Sequence, residues 1–474
     1  MECPCRKIAN RKNWGTPFAT LIRASGPSER STLVAHCKRD RQQRQKKSEG
    51  RRKREMRAVS RRRLTKHQEK LRGRGFIEEE RSLVERVMEM ILRLSPDTGK
   101  WLVLNIAIVA VAMLVLWRGA RSGNGNISLC ALARTMPLEV NEKYREKRLY
   151  RLLRNKRLEG PEMTPFLVLM ALGNKPSPWV PIVVDQTTIN GVEVIMAGVL
   201  VAKRVLPVAF CCFTYEEIRK SQNSIEYGLL KMIAASLPLG CKPLFVMDRG
   251  YGRVAMFQEL KQLGIPYLIR TKRKVSVTVA GKKKLVGSLY RKNGQPRRYE
   301  NILYHSEEKE PVDLVVYHDP EFKEPWYLVV PPNSTELLST DDVVALYRDR
   351  MHIELTFRDW KTHLGLRGLR LEVDKAVRLS RLLLALTAAY IVAVLMGAVA
   401  AAREVRRACE ILRRTPRHGT RKRLSALSIA ILMLSLKRFE LLARKVLFAI
   451  LKELGRAKGA LYIALNSCGD MHHA

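Results

Sequence analysis

The chain has 474 residues, of which 46% are hydrophobic, so it can fill a substantial core, has room for roughly two to four domains, and is not disordered overall. Its formal charge of +42 calls for a polyanionic partner, and Lys and Arg recur along the whole chain instead of beside one anchor, which favours nucleic acid over a membrane surface. Nine cysteines without a paired C-x2-C motif exclude a zinc knuckle or a disulfide framework and fit a reducing cytosol.

Residues 1–75 hold 24 Lys and Arg against 6 Asp and Glu with few aromatics, which predicts a disordered basic arm. Residues 76–175 read as a helical DNA-binding region. Apolar residues recur at helical spacing from Phe76 to Ser95, a turn falls at Met136 and Pro137, and a basic helix ends near Asn155. That helix suits contacts to DNA backbone or base edges, and it suits an ordinary basic hairpin equally well. Between these, Trp101 to Trp117 is apolar apart from Asn105 and lies at the lower length limit for crossing a bilayer.

From residue 178 the period turns toward strand. Trp179–Thr187, a hairpin signal at Asn190-Gly191, Val192–Ala202 and Leu206–Phe213 predict three consecutive strands. A helix over Ser224–Leu237, a strand at Pro243–Tyr251, a helix over Arg253–Gly264 and a strand at Pro266–Lys272 complete the order β-β-β-α-β-α-β. Asp185 falls at the end of the first predicted strand and Asp248 at the end of the fourth. Residues 272–335 carry short runs at Val275–Ala280, Leu285–Tyr290, Val312–His318 and Trp326–Pro331, which predict a β-rich insertion. Helix returns after Ser339 or Thr340, either of which can serve as its N-cap. Leu382 to Ala402 is a 21-residue run without charge, long enough for a membrane span and equally suited to a wrapped core helix. Residues 401–474 read as a basic helical C-terminal region.

Tyr347, Arg350, Glu354 and Lys361 follow the spacing Y-x2-R-x3-E-x6-K. At about 100° per residue these offsets fall within roughly 60° on one helix face. Arg358, at offset 11, falls on the same stripe as a weaker candidate. A face that mixes a carboxylate, two cations and a phenol suits a site for a metal ion and a phosphate. If Asp185, Asp248 and Glu354 converge, the three carboxylates need cations between them. Two Mg²⁺ ions, with Mn²⁺ able to substitute, would meet that need and serve phosphoryl transfer. Arg350 and Lys361 would then face the scissile or a flanking phosphate, and Tyr347 could donate to a phosphate oxygen.

At these residues the chain resembles the DDE transposases of bacterial and archaeal insertion sequences, in the group defined by the Tyr-Arg-Glu-Lys signature (the insertion-sequence-four group). The resemblance covers roughly residues 125–400 and rests on the full signature spacing and on the Val183–Thr187 and Met247–Tyr251 contexts of the two aspartates. It implies an α/β fold: a ribonuclease-H-like catalytic domain over 176–400, with a β-rich insertion at about 272–335, flanked by helical basic regions. It implies an enzyme that cuts transposon ends and joins their 3′-hydroxyls to target DNA, with Asp185, Asp248 and Glu354 as metal ligands. The implied partners are terminal inverted repeats and target DNA, bound by a homodimer in a synaptic complex, in a prokaryotic cytoplasm at the nucleoid. Trp326 is similar in placement to an aromatic that stacks a flipped base, although a buried strand tryptophan is the simpler reading. The resemblance also makes Leu382–Ala402 a core helix and not a membrane span. Three alternatives stay open on the residues alone: a nuclease or resolvase of the same fold that does not join, a non-enzymatic basic DNA-binding protein, and a membrane protein with a basic cytosolic domain.

Overall fold

A computed structural model describes residues 78–119, 127–158, 160–173, 177–218, 221–292, 294–371, 375–415 and 423–467. The chain divides into two units, Met1–Glu69 and Lys70–Ala474, and all described residues belong to the second. The expected basic arm at 1–75 therefore lies outside the described residues.

Helices come first: α1 (Glu78–Leu94), α2 (Lys100–Arg118), α3 (Leu129–Arg134), α4 (Glu142–Leu153) and α5 (Gly160–Leu172). Ser128 caps α3, its Oγ accepting the Ala131 N–H at 3.1 Å, and Asn141 caps α4 by accepting the Tyr144 N–H at 3.2 Å. Three strands follow, β1 (Trp179–Ile189), β2 (Val192–Val201) and β3 (Arg204–Phe213), joined by tight turns. Asn190 and Gly191 both take positive φ in the first turn, as an Asn-Gly hairpin requires. Then α6 (Gln222–Ser236), β4 (Lys242–Met247), α7 (Val254–Gln262) and β5 (Tyr267–Arg270) give the order read from the sequence.

The expected insertion holds β6 (Ser276–Val279), β7 (Lys282–Leu285), β8 (Arg297–Tyr304), β9 (Glu310–Tyr317) and β10 (Trp326–Val330). These strands extend the same sheet, whose order is β3-β2-β1-β4-β5-β10-β9-β8-β6-β7. β1 pairs antiparallel with β2 and parallel with β4, and β4 pairs parallel with β5. The insertion departs from expectation in three places, the first being β7, whose Lys282–Lys284 fell outside the predicted runs. The run Leu285–Tyr290 becomes a 3₁₀ turn at Val286–Leu289, and β8, whose charged residues break the apolar pattern and which crosses a register shift, was not foreseen.

The last part is helical: α8 (Thr340–Arg350), α9 (His352–Arg358), a π-helical turn at Asp359–His363, α10 (Lys375–Ala398), α11 (Ala402–Cys409), α12 (Ala426–Ser435), α13 (Glu440–Gly455) and α14 (Gly459–Ser467). Ser339 is the N-cap of α8 and closes a capping box with Asp342. α2 and α10 are the described helices long and apolar enough to cross a bilayer. The apolar window of α10 is 94% buried within the protein, against β3, α2, α12 and α13, whereas that of α2 is 67% buried. Such all-round burial explains an apolar helix without a membrane. Close packing of α10 on α12 depends on Gly397, where a Cβ would collide with the Ala426 carbonyl oxygen.

Candidate functional site

The sheet itself brings the two aspartates together. Parallel pairing of β1 with β4 runs from Trp179–Lys242 to Val184–Met247; Asp185 is the next residue on β1, and Asp248 is the first residue after β4. They stand side by side where the parallel pairing ends, beyond the carboxyl end of β4, the usual side for a site in such sheets. β1 does not end at Asp185 as expected. It continues to Ile189 through its antiparallel pairing with β2, so Asp185 sits in the body of a strand.

The helical segment α8–α9 supplies the rest. Arg350 Nη2 lies 2.6 Å from Asp185 Oδ2 and 3.8 Å from Asp248 Oδ2, while Nη1 lies 3.6 Å from Glu354 Oε1. Tyr347 donates its hydroxyl to Asp248 Oδ1 at 3.1 Å. One guanidinium thus gathers three carboxylates from β1, the turn after β4 and α9. Tyr347 and Arg350 are 0% and 3% exposed, so both face these carboxylates from inside the protein, whereas Glu354 is open to solvent.

Charge is not balanced here. Burial, with Asp248 and Glu354 nearby, pushes the Asp185 carboxyl up to about 6, against the opposing pull of Arg350 and of the Gln186 N–H, which Asp185 Oδ1 accepts at 2.9 Å. Arg350 is itself raised: burial works against its charge, and Asp185, Asp248, Tyr347 and Glu354 outweigh it. Burial also raises the Tyr347 phenol, which keeps it a donor.

Lys361 sits in the π turn, closed by the Leu364 N–H on the Asp359 carbonyl at 2.8 Å, so the stripe does not continue along one straight helix. Its ammonium is half-buried. Burial and then Arg367 lower its pKa, while Glu193 and Asp185 act to raise it, which places it at the rim near Asp185. Arg358 is exposed on α9. Trp326 is 1% exposed and packs on Tyr347, Phe322 and Tyr317 at ring separations of 5.0, 4.9 and 6.0 Å. A base-stacking role needs a free ring face, and Trp326 has none in this arrangement; it backs Tyr347 instead.

Three features went unseen in the sequence. Beside Asp185, Gln186 donates to Glu193 at 2.7 Å, Gln222 donates to Gln186 and Glu226 at 2.7 and 2.9 Å, and Glu226 pairs with Arg253. Behind the signature, Asp359 is buried against Arg204 at 2.6 Å and accepts the Tyr390 hydroxyl at 3.0 Å, while Thr356 donates to the Val205 carbonyl at 3.0 Å, which ties α9 to β3 and α10. The Tyr251 hydroxyl and Arg350 Nε are buried without a hydrogen-bond partner beside these carboxylates. Apart from the i,i+4 pair Gln222–Glu226, these pairs join residues that no local spacing links.

Among the described residues no three His, Cys, Asp or Glu side chains stand close enough to share a metal ion, because the Arg350 guanidinium lies between the carboxylates. By donor chemistry the set still fits a hard divalent cation: three carboxylates share one buried arginine, which leaves net negative charge.

Residues 219–392 match the family model described as transposase DDE domain. The matched span holds Asp248, Tyr347, Arg350, Glu354 and Lys361 and begins after Asp185. It supports a DDE transposase, a class of metal-dependent DNA-cutting enzymes. No curated protein matches the chain.

Proposed function

We propose that this protein is a DNA transposase that cleaves transposon ends and joins their 3′-hydroxyls to target DNA from a ribonuclease-H-like domain. The observation that carries this reading is the meeting of Asp185, Asp248 and Glu354 around Arg350 where the parallel pairing of β1 with β4 ends. The strand order β3-β2-β1-β4-β5, the DDE-domain match and the charge of +42 support it.

Asp185, Asp248 and Glu354 would hold two Mg²⁺ ions. When bound, such ions acidify the attacking water or 3′-hydroxyl and neutralise charge on the phosphate oxygens. The chain's own residues prepare that site. Tyr347 fixes one oxygen of Asp248 by donating to it, and the Gln186 N–H and Arg350 hold Asp185. Trp326 locks Tyr347 from behind. Lys361, half-buried at the rim, offers its cation to a phosphate of the bound strand, and Arg358 can reach the backbone from solvent.

A cleavage and strand-transfer assay with DNA ends, Mg²⁺ or Mn²⁺, and wild type beside Glu354→Gln tests this reading. Metal-dependent 3′-hydroxyl ends and joined products from wild type alone are expected. Ends without joined products would make it a nuclease, and DNA binding without scission in either protein would withdraw the enzymatic reading.

A further inference from the structure

Residues 271–299 contain ten Lys and Arg and no Asp or Glu. Eight of the ten are exposed: Lys272–Lys274 in the crossover from β5 to β6, Lys282–Lys284 on β7, and Arg291 and Lys292 in the turn that follows. None of these eight makes an ion pair among the described residues. Lys282 and Lys284 share one face of β7 at about 7 Å, where like charges repel.

Lysines on an edge strand can serve to prevent edge-to-edge pairing, and β7 is the edge of the sheet. That accounts for three of the eight cations. It leaves those of the crossover and the turn, and the crossover is tied to the hairpin: Val286 N–H donates to the Val275 carbonyl at 2.9 Å and Gly287 N–H to the Arg273 carbonyl at 2.8 Å. The crossover is rooted beside the candidate site. Thr271 donates to the Tyr304 hydroxyl, which donates at 3.2 Å to the carbonyl of Gly252, four residues beyond Asp248.

We propose that the β6–β7 hairpin and its flanking cations grip the phosphate backbone of duplex DNA, to one side of the phosphate presented to Asp185, Asp248 and Glu354. The position of the cut rests on the transposase reading; the duplex contact does not. Cations without ion-pair partners on the β6–β7 edge of the sheet match a polyanion by charge, and the absence of exposed aromatics from these two strands favours backbone over base contacts.

The test is metal-free binding of a labelled duplex over a salt series by full-length wild type and by Lys282→Gln/Lys283→Gln/Lys284→Gln. Each phosphate contact contributes about 0.9 to the slope of log affinity against log salt, so the variant's slope should fall by about 2.7. Its melting temperature should not change, since these side chains are solvent-exposed. A control, Lys437→Gln/Lys445→Gln/Lys452→Gln, removes the same charge from exposed positions elsewhere and should change the slope by less than about 1. An unchanged slope in the hairpin variant, or equal falls in both, would overturn the proposal. A fall confined to the hairpin variant supports it even where wild type cuts no DNA, an outcome that would sink the transposase reading alone.

Discussion

Arg350 sets the character of the site at the residue scale. It is buried and shared by three carboxylates, so it is an organiser as much as a phosphate ligand. Lysine cannot replace its planar fork, and Arg350→Lys should abolish cleavage while leaving a folded protein detectable by circular dichroism. Tyr347→Phe removes the donor to Asp248 and keeps the ring against Trp326. Cleavage should drop by about 10–100-fold with a higher metal requirement and a nearly unchanged melting temperature. A loss that more metal does not relieve would argue against an orienting role. The spacing in the sequence put Tyr347, Arg350, Glu354 and Lys361 on one helix face, whereas the structure divides them among α8, α9 and the π turn, and brings Tyr347, Arg350 and Glu354 to the two aspartates. It could not give depth: a helical wheel reports direction, and the burial of Tyr347 and Arg350 comes from strands far away in the chain.

Strand and helix runs of strong period, such as β1 to β5 and α8, were legible at the element scale because local pattern and tertiary role agree in them. β8 was not, since Arg297, Arg298 and Glu300 interrupt its pattern and a register shift falls between Tyr299 and Ile302. The π turn was hidden for a similar reason: it is imposed by Asp359, which turns inward to meet Arg204 on β3 and Tyr390 on α10. Removing one partner of that buried pair leaves the other charge stranded, so Asp359→Ala should cost about 3–5 kcal/mol by chemical denaturation. The double change Arg204→Met/Asp359→Leu should recover much of that loss, and a double variant as unstable as the sum of its parts would contradict this reading of the pair. Gly397→Ala should cost about 1–3 kcal/mol through overpacking of α10 on α12.

At the scale of the whole molecule, composition foretold a basic body with a large core, while hydropathy left α10 undecided between membrane and interior. Long-range packing decides it, because strands and helices from both halves of the chain cover α10. The protein should stay in the supernatant after high-speed centrifugation at high salt without detergent, and sedimentation with lipid under those conditions would contradict a core role for this helix. Strand pairing across the insertion was equally invisible, since β10 joins β5 across more than fifty residues. All these elements converge on one acidic centre, and its capacity to hold divalent metal is most directly read by calorimetric titration of Mn²⁺ into the wild type and into Asp185→Asn, Asp248→Asn and Glu354→Gln. Binding by the wild type, weakened about tenfold or more by each single change, is the expected result. Binding of equal strength in all four proteins would show that the three carboxylates do not form one metal site.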